Sequence, residues 1–392
     1  MAVSRISRVW STRSLLAAGR TILGRLHGSA ADSDCRKLGP DKLRELLQGA
    51  EEVASPERQV QCPTERCVLL FPGQGSQHLG MACTGALKYP AIRDMFVAAE
   101  RVLGYDLLHL CQHGPKERLD RTEHCQPALF VTSLAAAERL CQEQPEVVEK
   151  CVAVAGFSVG EFAALVFSGV LDFTEALHAV KVRAAAMQEA SQAVQSGMLS
   201  VIGKCQTRYN FACLQAREHC KSLGIENPVC EVASYLFPDG RVLAGHLEAL
   251  QFLQRNSQNY HFRRTLMLPV SGAFHTSLMK PAVEPLSQVL KTMTFQNPLI
   301  SVYCNIDGKR YRHAEQIQNL LVKQLVSPVK WEQTLHTVYE RRRGAAFPKT
   351  YEVGPGKQLG STLKACNAQA WKFYKHVDIA EVEEEPQETE ES

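Results

Sequence analysis

No Asp or Glu occurs in this 392-residue chain before Asp32, yet Arg5, Arg8, Arg13, Arg20 and Arg25 all lie in that stretch. Apolar residues (Ile6, Val9, Trp10, Leu15, Leu16, Ile22, Leu23) are interleaved with these arginines rather than gathered into one block. The pattern excludes the continuous apolar segment of a secretory signal and fits a mitochondrial transit peptide over residues 1–30. A merely disordered basic tail is the plainer alternative. Removing those five positive charges takes the formal charge from +3 to −2. The whole-chain pI of 8.2 therefore lends no electrostatic support to a nucleic-acid partner.

Long apolar runs are also missing. No stretch approaches the roughly 20 apolar residues of a spanning helix, so no membrane span is expected. Fourteen cysteines are present, but none forms a CxxC pair, and His and Cys do not cluster at metal-ligand spacing. Neither a metal site nor a disulfide framework is expected. Many of the thiols adjoin apolar residues, as in Cys67-Val-Leu-Leu and Cys151-Val-Ala-Val. They read as buried and reduced.

With 45% hydrophobic residues the chain can build a substantial core. Residues 31–60 form a polar variable segment, with a short amphipathic helix around Leu43 to Leu47. Order begins with the buried strand Cys67 to Phe71, followed by helical stretches at Ala91 to Leu103 and Ala128 to Cys141. A second strand at Cys151 to Ala155 leads into a helix after Ser158. Strands alternating with helices predict a parallel sheet covered on both faces. Residues 198–268 read as an insert of order β-α-β-β-α-β, with a Phe237-Pro-Asp-Gly240 turn at its centre, the split ferredoxin-like pattern. The parallel pattern resumes at Leu299 to Tyr303 and ends at Thr350 to Val353. The expected division is a catalytic core over 61–197 and 269–376, the insert over 198–268, and an acidic disordered tail over 377–392.

The strongest chemical signal is Gly156-Phe157-Ser158-Val159-Gly160, set between an apolar strand and Glu161-Phe-Ala-Ala-Leu-Val. That context makes GxSxG a nucleophile elbow, with Ser158 on a turn so tight that small residues are needed two positions either side, and the Val159 N–H as the first oxyanion donor. Such a serine needs a base, and thirteen histidines compete for the role. His275 stands out in Pro269-Val-Ser-Gly-Ala-Phe-His-Thr276, between a strand end and a helix-like stretch. His124, His178 and His336 read as surface or packing residues. Two further glycine loops, Phe71-Pro-Gly-Gln-Gly-Ser-Gln77 and Glu352-Val-Gly-Pro-Gly-Lys357, fail both GxGxxG and the P-loop, so phosphate binding is not indicated.

FPGQGSQ, GFSVGEFAAL, GAFH, QLVSPVKW and EVGPGKQLG occur in this order. Together they resemble the malonyl-CoA:acyl carrier protein transacylases, close to their mitochondrial form, over about residues 66 to 376. The resemblance implies an α/β fold: an α/β-hydrolase-like parallel-sheet core with an inserted ferredoxin-like subdomain. It implies malonyl transfer from malonyl-CoA to the phosphopantetheine thiol of acyl carrier protein in the mitochondrial matrix, with no bound cofactor. Residue by residue, it implies Ser158 as nucleophile and His275 as base. Gln74 would lie at the oxyanion hole beside Val159, and Gln324 would orient His275 through its backbone carbonyl. Arg183 would bind the malonyl carboxylate, and Phe274 would disfavour branched acyl groups. Taken alone, Arg183 reads as a solvated helix arginine, and Arg263, Arg264 and Arg341 to Arg343 as solvated surface that could also meet an acidic partner. In one departure, Ser234-Tyr-Leu-Phe-Pro238 stands where bacterial members show Asn-x-Asn-Ser-Pro. A thioesterase or esterase, and a catalytically silent scaffold of the same fold, are the rival readings.

Overall fold

The computed structural model describes residues 66–380 apart from Arg343. The expected transit peptide, the variable segment over 31–60 with its helix, and the tail beyond residue 380 lie outside the described residues. A parallel sheet of order β7-β2-β1-β8-β9 lies at the centre. Its strands are β1 (Cys67–Phe71), β2 (Cys151–Gly156), β7 (Ser301–Tyr303), β8 (Lys349–Val353) and β9 (Tyr374–Val377). β1 is apolar throughout because both its faces are covered, as parallel strands require. Leu69 and Phe71 pack into one core with Phe162 and Phe167, while Val68 and Leu70 pack on the other face with Trp331, Leu335 and Leu363. The expected end at residue 376 falls inside β9. Ile379 is also buried and bridges to Ala82, so the ordered chain runs further than its acidic composition suggests.

Helices α1 (Thr122–Glu143), α2 (Gly160–Phe167) and α3 (Phe173–Ala193) cover one side of the sheet. α1 begins six residues before the expected Ala128, carrying Pro127 inside it. A proline there removes one intrahelical donor, but most of this helix is buried and packing overrides the local propensity.

The second sheet has order β4-β5-β3-β6 and is antiparallel throughout. It is built from β3 (Ser196–Gly203), α4 (Tyr209–Ser222), β4 (Cys230–Phe237), β5 (Gly240–His246), α5 (Leu247–Arg255) and β6 (Phe262–Met267). This is the ferredoxin-like order. The period of two along its strands separates two cores. Leu199, Val201 and Leu243 face α4 and α5, while Met198, Val242 and Ala244 join the core of the parallel sheet. The Ser234–Pro238 run lies on and just past β4, where main-chain bonds link Ala233 and Tyr235 to Val329.

Because β1, β2, β7 and β8 run in one direction, the loops after them gather at one sheet edge, the usual place for a site in an α/β fold. α6 (Ala314–Gln324), α7 (Trp331–Val338) and α8 (Gln358–Cys366) complete the elements used below.

Candidate active site

Ser158 sits on the turn between β2 and α2 with φ +54°, a left-handed conformation that side chains other than glycine rarely adopt. The turn is possible because its flanks have no side chains. A Cβ on Gly156 would lie 1.9 Å from the Gly160 carbonyl oxygen, and one on Gly160 would lie 2.3 Å from that of Phe71. Asn305, just past β7, clips both sides of the turn. Its carbonyl accepts from the Ser158 N–H at 2.7 Å and its amide donates to the Gly156 carbonyl at 2.7 Å. The Val159 N–H begins α2, where the first donors have no partner within the helix.

His275 arrives from the segment after β6, also at positive φ (+62°). Its Nε2 lies 2.8 Å from Ser158 Oγ, and its Nδ1 lies 2.8 Å from the Gln324 carbonyl oxygen. A carbonyl can only accept, so Nδ1 carries the proton and Nε2 is left free to take one from the serine. Gln324 is the last residue of α6, and the last carbonyls of a helix lack intrahelical partners. The negative end of that helix therefore stands where a carboxylate stands in a Ser-His-Asp triad. Burial, and next the Arg183 charge, push His275 down to about 4. It is a neutral acceptor at physiological pH.

Arg183 lies on α3, whose start is capped by the Asp172 side chain accepting from Thr174 N–H and Glu175 N–H. The side chain is fully buried and its Nη2 donates to Ser158 Oγ at 3.1 Å. Nη1 donates to Gln126 Oε1 at 2.6 Å and Nη2 also to Gln324 Oε1 at 2.8 Å. Both acceptors are neutral carboxamides, and Nε has no partner. Burial lowers Arg183 to about 10, which leaves it charged near neutrality. A buried cation bonded only to neutral oxygens, one of them a serine hydroxyl facing a neutral imidazole, suits an acyl group that ends in a carboxylate.

Glu161, the second residue of α2, is fully buried behind this group. It accepts from Tyr311 Oη, from Asn305 N–H at 3.3 Å and from Gln324 Nε2. Those donors favour the ionised carboxyl, but burial outweighs them and raises Glu161 to about 7.

Of the residues singled out from sequence, Ser158, His275, Arg183 and Gln324 are brought into direct contact. Arg183 is thus a buried site residue and not a solvated one. Gln74 lies on the loop after β1, where its side chain bonds to Gln126 and Thr122 of α1. Phe274 is buried in the core beside the parallel sheet. Arg341 stacks on the Phe347 ring at 4.0 Å and holds two backbone carbonyls, so it braces its loop. Gln126, Glu161, Asn305 and Tyr311 were not found from sequence. Only Glu161 left a signal, as a charge inside the apolar run Gly160–Phe167. Cys67, Cys111, Cys125, Cys213, Cys220, Cys230 and Cys304 are buried thiols outside any disulfide. No group of three or more His, Cys, Asp or Glu among the described residues could hold a metal ion.

The acyl transferase domain family matches residues 68–347. A human relative described as mitochondrial malonyl-CoA-acyl carrier protein transacylase is 63% identical over 394 residues, covering 98% of each chain. The corresponding transacylase of Escherichia coli K12 is 37% identical, over 75% of this chain and 91% of its own. The solved structure of a malonyl CoA-acyl carrier protein transacylase from Coxiella burnetii superposes with a TM-score of 0.72 at 32% identity, covering 81% of this chain and 95% of that one.

Proposed function

Since this chain belongs to the acyl transferase family, among the malonyl-CoA:acyl carrier protein transacylases, we propose that it moves malonyl through an ester on Ser158, with His275 as base and Arg183 holding the malonyl carboxylate. Malonyl-CoA is the donor and the phosphopantetheine thiol of acyl carrier protein the acceptor, supplying malonyl units for fatty acid synthesis. The observation that carries this reading is the convergence on one buried oxygen. Ser158 Oγ lies 2.8 Å from a neutral imidazole and 3.1 Å from a guanidinium whose hydrogen bonds all go to neutral oxygens.

His275 Nε2 takes the Ser158 proton as Oγ attacks the thioester carbonyl. The oxyanion is held by the Val159 N–H and the main chain of the Gln74 loop. Coenzyme A departs as a thiol carrying that proton. The carrier-protein thiol then gives its proton to His275, attacks the serine ester, and Ser158 is restored. A thiol leaves far more readily than an amine, so the helix-end carbonyl of Gln324 suffices to orient the base. Phe274 would restrict branching at the acyl α-carbon. The supporting division of the chain is a catalytic core to either side of a subdomain over 198–268, its last strand running past residue 376. In intact-mass measurements the wild type should gain a malonyl adduct from malonyl-CoA and lose it to carrier protein. Ser158→Ala should show no adduct while keeping its fold. An adduct of undiminished yield in that variant removes Ser158 from the mechanism, and rapid release of free malonate without carrier protein would instead favour a thioesterase.

The close relatives are mitochondrial by name, and the chain is accordingly assigned to the mitochondrion. The acid-free, arginine-rich start supports delivery to the matrix. Residues 1–40 fused to a fluorescent reporter should enter mitochondria, and a diffuse cytosolic signal would refute the targeting.

A further inference from the structure

The charges behind Ser158 are arranged in an unusual way. Arg183 and Glu161 are both fully buried and each favours the other's charge, but no ion pair joins them directly among the described residues. Between them stands the Gln324 carboxamide, with Oε1 accepting from Arg183 and Nε2 donating to Glu161. On the other side of the guanidinium, the Gln126 carboxamide accepts from Nη1, while its own amide points to Gln74 Oε1 and Met187 Sδ. A buried arginine usually pairs with a carboxylate, since an isolated charge in a dry site is costly. Here the nearest carboxylate is held one side chain away, and the second acceptor is an amide where a carboxylate would fit sterically.

We propose that Gln126 and the Gln324 side chain form a neutral clamp that holds the Arg183 guanidinium in place without neutralising it, so that its charge is satisfied only by an acyl carboxylate. Gln126 is then a positioning and specificity-determining residue for the transfer, acting through Arg183. An internal carboxylate in its place would satisfy the cation permanently and compete with the substrate. A weaker clamp would let the fork drift. In either case the loss falls on substrates that end in a carboxylate, because an acetyl group makes no demand on the guanidinium. The inference rests on the reading of Arg183 as the malonyl-carboxylate residue.

The test is single-turnover acylation of Ser158 by malonyl-CoA and by acetyl-CoA, followed by intact mass, with acyl-CoA concentration varied to separate apparent binding from rate. Gln126→Glu, nearly isosteric, should lower the malonyl-to-acetyl ratio by about tenfold or more, which corresponds to ~1.4 kcal/mol. Gln126→Met, neutral and of similar volume, should lower the ratio by a smaller factor, mainly through weaker malonyl-CoA binding. If both acyl groups lose the same factor in either variant, Gln126 is merely structural and the clamp is overturned. Should the glutamate variant fail to fold, the methionine variant still decides, because a loss shared equally by both substrates refutes the proposal. Arg183→Ala run alongside separates the two layers. A fallen ratio in Arg183→Ala with an unchanged ratio in Gln126→Glu refutes the clamp alone. An unchanged ratio in Arg183→Ala refutes the underlying reading of Arg183.

Discussion

Replacing Glu161 by Gln should change how stability depends on pH, in a direction fixed by burial. In the folded protein burial lifts this carboxyl from its ordinary 4.5 to about 7, against the pull of its three donors. Between those two values the native state holds a proton that the unfolded chain has released. The stabilisation this gives is fully present below pH 4.5 and is lost as pH rises through about 7. At ~1.4 kcal/mol per pH unit it amounts to roughly 3 kcal/mol. Glutamine carries no such proton. The stability of wild type relative to Glu161→Gln should therefore fall by roughly 3 kcal/mol between pH 4.5 and 8, whatever pH-independent offset the new amide introduces. His275 acts in the opposite sense. Its folded value near 4 lies below the ordinary 6.5, so it costs the protein stability as pH falls from 6.5 towards 4. Together the two groups flatten the wild-type curve over that range, and the variant should expose the histidine slope. Urea denaturation of both proteins at pH 5, 6, 7 and 8 measures the difference directly. Parallel stability curves for the two proteins would show that Glu161 is ionised throughout and that the burial argument is wrong.

Other outcomes follow from the same geometry. The acidic limb of kcat/KM for malonyl-CoA should lie well below pH 6.5, near the His275 value of about 4. The limb of kcat should lie higher, because a carboxylate on Arg183 cancels the charge that helps hold His275 down. A kcat/KM limb centred at 6.5 contradicts the buried, neutral base. Asn305→Ala removes the bonds to both Ser158 and Gly156, and should cost about 1–3 kcal/mol of stability and slow Ser158 acylation. An unaltered denaturation midpoint and adduct rate would mean that the elbow holds itself without the clip.

What could be read in the sequence was what a short segment decides by itself. The elbow shows because the strand, the turn and the two glycines are all needed within one stretch. The ferredoxin-like insert shows because its alternation and its Pro238-Asp239 turn are local. Arg183 showed only through the family resemblance: it shares a helix face with buried Ala176, Val180, Met187 and Ala190, but a lone helix arginine reads as solvated, and its partners Gln126 and Gln324 lie 57 and 141 positions away. The orienting bond to His275 comes from a backbone carbonyl, which any residue could supply, so geometry alone leaves no trace of it in the side chain at position 324. Gln126 was hidden for another reason. Pro127 made the helix appear to start after it, placing Gln126 in an apparent loop. Asn305 sits in a segment that reads as an ordinary turn before Asp307-Gly308.

The antiparallel pairing of β3 with β6, Leu199 opposite Met267, bears on how the enzyme comes to exist at all. Ser158 and His275 are 117 positions apart, and the whole small sheet lies between them. Once that sheet has formed, its excursion is closed by a single ladder, and the loop left to join Ser158 to His275 is less than half as long. The entropy saved is modest, under ~1 kcal/mol, because closure cost grows only with the logarithm of loop length. The kinetic consequence is larger. His275 follows the end of β6 by eight residues, so its position depends on where the folded insert leaves that strand. Acylation competence should thus appear in refolding no earlier than the insert's own structure, and the first catalytic turnover dates the completion of an element that contributes none of the residues in contact with Ser158 Oγ.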